Sequence, residues 1–350
     1  SQLARLTDFI DRTGLRDRLF VVLAGDHGES LGEHKESTHG FFVYQGALQV
    51  PLIIATPFKP LQGAVAGGTV GLVDVMPTIC EMAGLAVPAA VQGRSLVPDL
   101  FRPGAEAGRL AYSETYYPRF HYGWSELRSV QDGRYKLILA PVPELYDLRS
   151  DPREQKNLVY LEKKVYEDLS ARAAALEAEA GRDALEVDLK KVDEETREKL
   201  AALGYIGSFT DASKLQGRKL ADPKDKIGIF NELSRAREDG LAGDAERAIE
   251  TIRAIIAEDP TIGDAHFGLG NVLYKARRFP EALEAFTRAL DLKPDDSFAA
   301  INVANCYQAM GRYEEAEKFV LDYLARGFED SQLYFLLGNI KIALVEGRCL

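Results

Sequence analysis

The sequence predicts two structural classes in one chain: an α/β domain ending in a small antiparallel sheet, and after it an all-helical array. Three observations carry this. Continuous apolar runs at Leu19–Ala24 and Val50–Ala55 are separated by Gly-rich and helical stretches, as in α/β domains. Two strand patterns, Trp124–Gln131 and Arg134–Ala140, flank Asp132-Gly133, a hairpin signal. Beyond these, Ala236, Gly270, Ala304 and Gly338 stand 34 residues apart, a spacing that belongs to helical repeats.

Each element follows in order. Residues 3–13 are amphipathic and read as the last helix of a βα unit. Leu19–Ala24 reads as a parallel strand buried on both faces, running into Gly25-Asp26-His27-Gly28, and Val50–Ala55 is a second such run. A helix is predicted over Val75–Ala83, with Asp74 as N-cap and Gly84 as its stop. After the hairpin, Glu144–Leu148 adds a strand closed by the Asp151-Pro152 turn. Val159–Gly181 and Val192–Leu203 have helical spacing, the latter closed by Gly204-Tyr205-Ile206-Gly207. Gly207–Asp225 is polar and reads as a linker. The predicted organisation is 1–158, 159–225 and 226–350.

Composition bounds the function. The 350 residues suit about two domains, and 46% hydrophobic with 28% charged residues is ordinary globular material. A net charge of -11 argues against nucleic acid as the main partner, because backbone phosphates repel an acidic surface. Cys80, Cys306 and Cys349 are too few and scattered for a disulfide framework or a zinc ribbon. No apolar stretch approaches the ~20 residues of a membrane span. The chain opens on Ser1 in an amphipathic pattern with no signal peptide, which suggests that a natural N-terminal part precedes it.

The repeats are regular in detail. Ala248, Ala282 and Ala316 keep the 34-residue spacing, as do Pro260 and Pro294, with Phe328 in the third place. This resembles the tetratricopeptide repeat. Gly263–Asp296 matches it best, with Leu269-Gly270, Ala282, Phe286, Ala289 and Pro294 at helix-packing positions. About 3.5 repeats are expected, the last helix carrying Leu333, Phe335, Leu336, Leu337 and Ile340 without the polar outer face of a cap. The resemblance implies a protein or peptide partner in the concave face.

Chemistry is expected where the first apolar strand ends, since ligands of open α/β sheets sit beyond the carboxyl ends of strands. Asp26 and His27 can both reach a metal there, and Gly25 and Gly28 permit the turn. Their context runs Gly25-Asp26-His27-Gly28-Glu29-Ser30-Leu31-Gly32-Glu33-His34, then His39-Gly40, then Tyr44–Ile54. Further on stand Leu72–Thr78 with Ala83-Gly84, Gln92–Leu96, and Glu144–Leu148 with Asp151-Pro152, Glu154 and Asn157-Leu158. This ordered set resembles the C-terminal portion of sulfatases of the alkaline-phosphatase superfamily.

The resemblance implies that Asp26 and His27 are ligands of a divalent cation, calcium in most sulfatases. An imidazole on calcium is unexpected, and related phosphohydrolases with Asp-His pairs use zinc or manganese. His39, thirteen residues after Asp26, would hold a sulfate oxygen or protonate the leaving group. His34 is either a pocket-rim group or a structural hydrogen bonder. Arg119, His121 and Arg128 are either positive charge near a sulfated substrate or solvated surface. The implied substrate is a sulfated or phosphorylated small molecule or glycan, met in a periplasmic or extracellular setting. The family's nucleophile motif, Cys/Ser-x-Pro-x-Arg, is missing: Cys80 leads into Glu81-Met82, and Ser150-Asp151-Pro152-Arg153-Glu154 has Glu in place of Arg. The family's early paired acids are missing too. Two side chains do not close a calcium site of about 6–8 ligands, so the chain alone is expected not to turn over substrate. Two alternatives remain: a phosphodiesterase or phosphotransferase of the same superfamily, and a non-catalytic scaffold in which the repeats carry the function.

Overall fold

The computed structural model describes residues 2–57, 63, 65, 67–101, 109–182, 219–328 and 330–348. The predicted helix Val192–Leu203 with its Gly204–Gly207 stop, residues 207–218 of the predicted linker, and Cys349 lie outside the described residues. The chain divides into two compact units, Ser1–Thr115 with Leu127–Asp183, and Tyr116–Glu126 with Ala184–Leu350. Among the described residues no helix is long and apolar enough to cross a membrane.

The first unit begins with helix α1 (Gln2–Arg12), whose Leu3, Leu6 and Phe9 are exposed. Strand β1 (Val21–Ala24) is followed by a long loop, the one-turn helix α2 (Gln45–Leu48) and β2 (Leu52–Ala55). The two strands pair antiparallel, with Val21 opposite Ala55 and Ala24 opposite Leu52. This corrects the parallel, doubly buried strand expected from the apolar run. Their connection contains no full crossover helix, which a parallel pair needs, so the chain folds straight back. Both strands are only partly covered, and Ile53 is exposed.

Helix α3 (Val75–Met82) ends as predicted at Gly84, which takes the left-handed φ of +68° that a C-terminal glycine supplies. Asp74 does not cap it. Its buried carboxylate instead accepts hydrogen bonds from the Gly71 and Arg94 N–H groups and from the Arg109 guanidinium, joining three loops. A short helix, α4 (Val97–Phe101), leads toward the sheet.

Strand β3 (Ala111–Thr115) is followed by a one-turn helix, α5 (Tyr117–Tyr122), and by β4 (Leu127–Gln131), β5 (Tyr135–Leu139) and β6 (Glu144–Asp147). The four strands form an antiparallel meander in the order β3-β4-β5-β6. The predicted turn closes β4 to β5: Asp132 Oδ1 accepts from the N–H groups of Arg134 and Tyr135, and Gly133 has φ +93°. Strand β4 starts three residues later than the pattern suggested: the Trp124 N–H donates to the Pro118 carbonyl, 3.2 Å away, and not to a neighbouring strand. Helix α6 (Lys163–Arg182) covers the sheet, and Val130, Leu137, Leu145, Val159, Leu169 and Ala173 form one buried cluster beneath it.

The second unit is the helical array: α7 (Pro223–Ala242), α8 (Ala245–Glu258), α9 (Gly263–Lys275), α10 (Phe279–Leu292), α11 (Ser297–Ala309), α12 (Tyr313–Ala325) and α13 (Ser331–Arg348). Asp222, Asp244 and Asp296 cap α7, α8 and α11 through their side chains, as short acidic N-caps do. At Gly270 the small residue has a direct steric cause. A Cβ at Gly270 would lie 2.6 Å from the Phe286 ring, so only glycine lets α9 and α10 close on each other. Ala236 and Ala304, 34 residues to either side of Gly270, are buried, as are Ala248, Ala282 and Ala316 of the second series, and Cys306 is a buried core residue.

Tyr116–Glu126 packs within this unit. Tyr117 and Tyr122 meet the Phe230 ring edge-on at 6.3 and 6.2 Å. His121 Nδ1 lies 3.0 Å from Asp264 Oδ2, and Lys293 Nζ lies 2.8 Å from Asp264 Oδ1. Burial pushes the Asp264 carboxyl up, but His121 and Lys293 outweigh it and hold the group well below the usual range. A depressed carboxylate stabilises the fold above its unfolded pKa, and that stability is lost as pH falls toward the folded value. The urea midpoint of the array is therefore expected to fall between about pH 5 and pH 2, and Asp264→Asn should lower the neutral midpoint and flatten the profile. Circular dichroism across that range checks it.

Candidate functional site

The loop after β1 is fixed from both sides. Gly25 N–H donates to the Pro51 carbonyl at 3.2 Å and Gly28 N–H to the Ala47 carbonyl at 2.7 Å. Gly28 packs so closely on α2 that a side chain there would overlap the Gly46 carbonyl oxygen. Farther along, the buried Glu36 carboxylate accepts from Ser30 Oγ and from the Phe41 and Phe42 N–H groups, tying the loop's two ends together. Burial raises the Glu36 pKa, with those donors opposing the shift.

Asp26, His27, Glu29 and His39 come together on this frame. The Asp26 side chain is exposed; its Oδ1 accepts from His27 N–H at 3.0 Å, and backbone N–H donors with His27 hold its carboxyl below the usual range. His27 Nδ1 sits 2.8 Å from the Gly28 carbonyl, and its Nε2 lies 3.9 Å from Asp26 Oδ1. The His27 and His39 rings stack with centroids 3.7 Å apart, inclined by 24°. His39 Nδ1 lies 3.2 Å from Glu29 Oε2 and 3.3 Å from Oε1.

These positions suit two metal ligands. A ring that places Nδ1–H on a carbonyl keeps its Nε2 lone pair for a metal, the usual outer-shell arrangement of a ligating histidine. A separation of 3.9 Å to a carboxylate oxygen lets both atoms bracket an ion at about 2.0–2.4 Å from each. Among the described residues, no group of three or more His, Cys, Asp and Glu could hold a metal. Asp26 and His27 are thus two side chains that could hold an ion, with no third described His, Cys, Asp or Glu joining them.

The remaining predicted residues sit elsewhere. His34, left-handed at φ 51°, stacks on Tyr44 at 3.5 Å, and its Nε2 lies 3.2 Å from the Arg153 carbonyl. Arg128 on β4 pairs with Glu177 of α6 at 2.8 Å. Arg119 pairs with Glu126 at 2.6 Å and His121 with Asp264, both inside the second unit. Sequence reasoning assigned no role to Glu29. The available signal was its place in Gly25-Asp26-His27-Gly28-Glu29, next to both candidate ligands.

Residues 32–179 match the family model described as N-sulphoglucosamine sulphohydrolase, C-terminal. Residues 233–297 and 273–340 match two tetratricopeptide repeat models. The chain is 32% identical over 146 residues to the Delta 4,5-hexuronate-2-O-sulfatase of Bacteroides thetaiotaomicron, covering 39% of this chain and 30% of that protein. It is 32% identical over 169 residues to the N-acetylglucosamine-6-O-sulfatase of the same organism, covering 45% of this chain and 29% of that protein. It is 33% identical over 172 residues to the multifunctional alkaline phosphatase superfamily protein PehA of Trinickia caryophylli, covering 45% of this chain and 33% of that protein. The chain spans about a third or less of the length of these curated relatives. It carries a sulfatase-like C-terminal domain, with small antiparallel sheets, followed by tetratricopeptide repeats.

Proposed function

We propose that the first unit serves a metal-dependent sulfuric ester hydrolase, and that the repeats hold a protein partner. The observation that carries the first part is the convergence of Asp26, His27 and His39 on one loop, in a domain whose relatives include named sulfatases. Asp26 and His27 would hold the cation, which as a Lewis acid stabilises charge developing on the ester oxygens. His39 meets the leaving oxygen as hydrogen-bond donor or acid. Gly28 and Glu36 anchor the loop that carries these groups, through the Ala47 carbonyl and the Phe41 N–H. These 350 residues contain no Cys/Ser-x-Pro-x-Arg motif, so the nucleophile is not theirs, and this chain alone is not expected to turn over an ester. Calcium, zinc and manganese are the candidate ions; the imidazole ligand favours the latter two.

The test joins these residues in one polypeptide with a sulfatase half that supplies the nucleophile, and compares a matched aryl sulfate and aryl phosphate under each metal. Chelation should abolish hydrolysis, and His39→Ala should lower kcat by about 10²–10⁴-fold. Unchanged turnover and metal binding with both Asp26 and His27 replaced by alanine would sink the proposal. Preference for the phosphate would instead support a phosphohydrolase of the same superfamily. The kinship with PehA and the His27 ligand favour that as the second reading.

A further inference from the structure

His39 is held by two contacts at right angles to each other. Glu29 meets the ring edge at Nδ1, at 3.2 and 3.3 Å through its two oxygens. His27 covers the ring face at 3.7 Å. The edge contact fixes rotation of the imidazole in its own plane, and the stack fixes its tilt. Together they leave Nε2 as the one nitrogen available to a ligand. His39 and Glu29 side chains are 42% and 47% exposed, so an unconstrained His39 would sample several rotamers here. A carboxylate has no proton to donate at neutral pH and can only accept, which requires the proton on Nδ1.

We propose that Glu29 is a positioning residue: it selects the Nδ1–H form of His39, so that Nε2 is the nitrogen that takes up a proton and, once protonated, donates to the oxygen of a bound ester. The donation to an ester rests on the hydrolase reading above; the choice of tautomer does not. A neutral imidazole in water favours the other tautomer, with the proton on Nε2, so a visible departure from that preference measures what Glu29 does. The arrangement is that of a histidine whose second nitrogen is oriented by a carboxylate, with the acid acting on the ring and never on the substrate.

The experiment uses the full chain without added metal, labelled with ¹⁵N. Long-range proton–nitrogen spectra of its five histidines are recorded near pH ~9, where an ordinary imidazole is neutral, with His39→Gln assigning the signal. The expected wild-type spectrum has a proton-bearing Nδ1 and a lone-pair Nε2 at His39. In Glu29→Ala the two nitrogen shifts should exchange character toward Nε2–H, while melting stays cooperative. A wild-type His39 already in the Nε2–H form, or one unmoved by Glu29→Ala, overturns the proposal. The wild-type spectrum decides even if the variant fails to fold. If the tautomer is as stated while the sulfate ester and metal tests fail, the hydrolase reading falls and the positioning role of Glu29 stands; the reverse result removes Glu29 alone.

Discussion

Lys136→Met is expected to cost the first unit about 3–5 kcal/mol at neutral pH, the range for breaking a buried ion pair from one side. Lys136 Nζ lies 2.7 Å from Glu154 Oε1, and the two side chains are 1% and 2% exposed. Burial pulls the lysine pKa down, with Glu154 opposing the shift. Methionine keeps the volume of the lysine stem and removes only the charge, which strands a carboxylate in the core. Glu154 is itself held at a left-handed φ of 55°, just past the Asp151-Pro152 turn, and its Oε2 accepts from Gln45 N–H at 2.7 Å. The pair therefore links β5 to the first turn of α2, against which the site loop rests. Replacing Glu154 by leucine in the same chain should recover part of the loss, because no charge is then stranded, but the Gln45 N–H loses its acceptor. Equilibrium urea unfolding of the single and double variants measures both effects. A loss under about 1 kcal/mol for Lys136→Met would mean that water reaches the pair.

What the sequence disclosed, and what it hid, follows from the range of the interactions. The β4–β5 hairpin was legible because Asp132-Gly133 supplies its own turn chemistry within three residues of Tyr135. The repeats were legible because buried small residues, Ala236, Gly270 and Ala304 in one series and Ala248, Ala282 and Ala316 in the other, recur every 34 residues. The pairing of β1 with β2 was not, since two apolar runs carry no record of direction; the missing crossover helix decides it. The charged residues show the same limit. Arg128, Arg119 and His121 read as free positive charge, yet each has an acid partner that only the fold brings near: Glu177, Glu126 and Asp264. Asp74 read as a cap because its place before a helix is local, while its partners Arg94 and Arg109 are 20 and 35 residues away. At the site, Asp26 and His27 were legible as neighbours on a turn. The contacts that orient their surroundings, from Glu29 to His39 and from Glu36 to Phe41, depend on how the loop closes.

Gly28→Ala should disable that loop while its neighbour tolerates the same change. A methyl group at position 28 would overlap the Gly46 carbonyl oxygen and press on Ala47, and the obstacle is backbone, which has no rotamer to yield. The loop must then lift from α2, which breaks the 2.7 Å hydrogen bond from Gly28 N–H to the Ala47 carbonyl. The expected loss is about 1–3 kcal/mol, the range for overpacking a fitted contact. Its larger consequence is positional: the carbonyl of Gly28 that receives His27 Nδ1–H moves, and with it the stack of His27 on His39. Gly46→Ala faces the same loop from the other side, but its Cβ would come no nearer than 3.4 Å to Ser30 Oγ and 3.7 Å to Ser30 Cα, ordinary contacts, inside a helix that favours alanine. That variant should stay within about 0.5 kcal/mol of the parent. Urea midpoints give the energies, and the ring ¹⁵N signals of His27 and His39 report the geometry. Equal behaviour of the two variants would show that the loop does not rest on α2 and that the juxtaposition of Asp26, His27 and His39 needs another support.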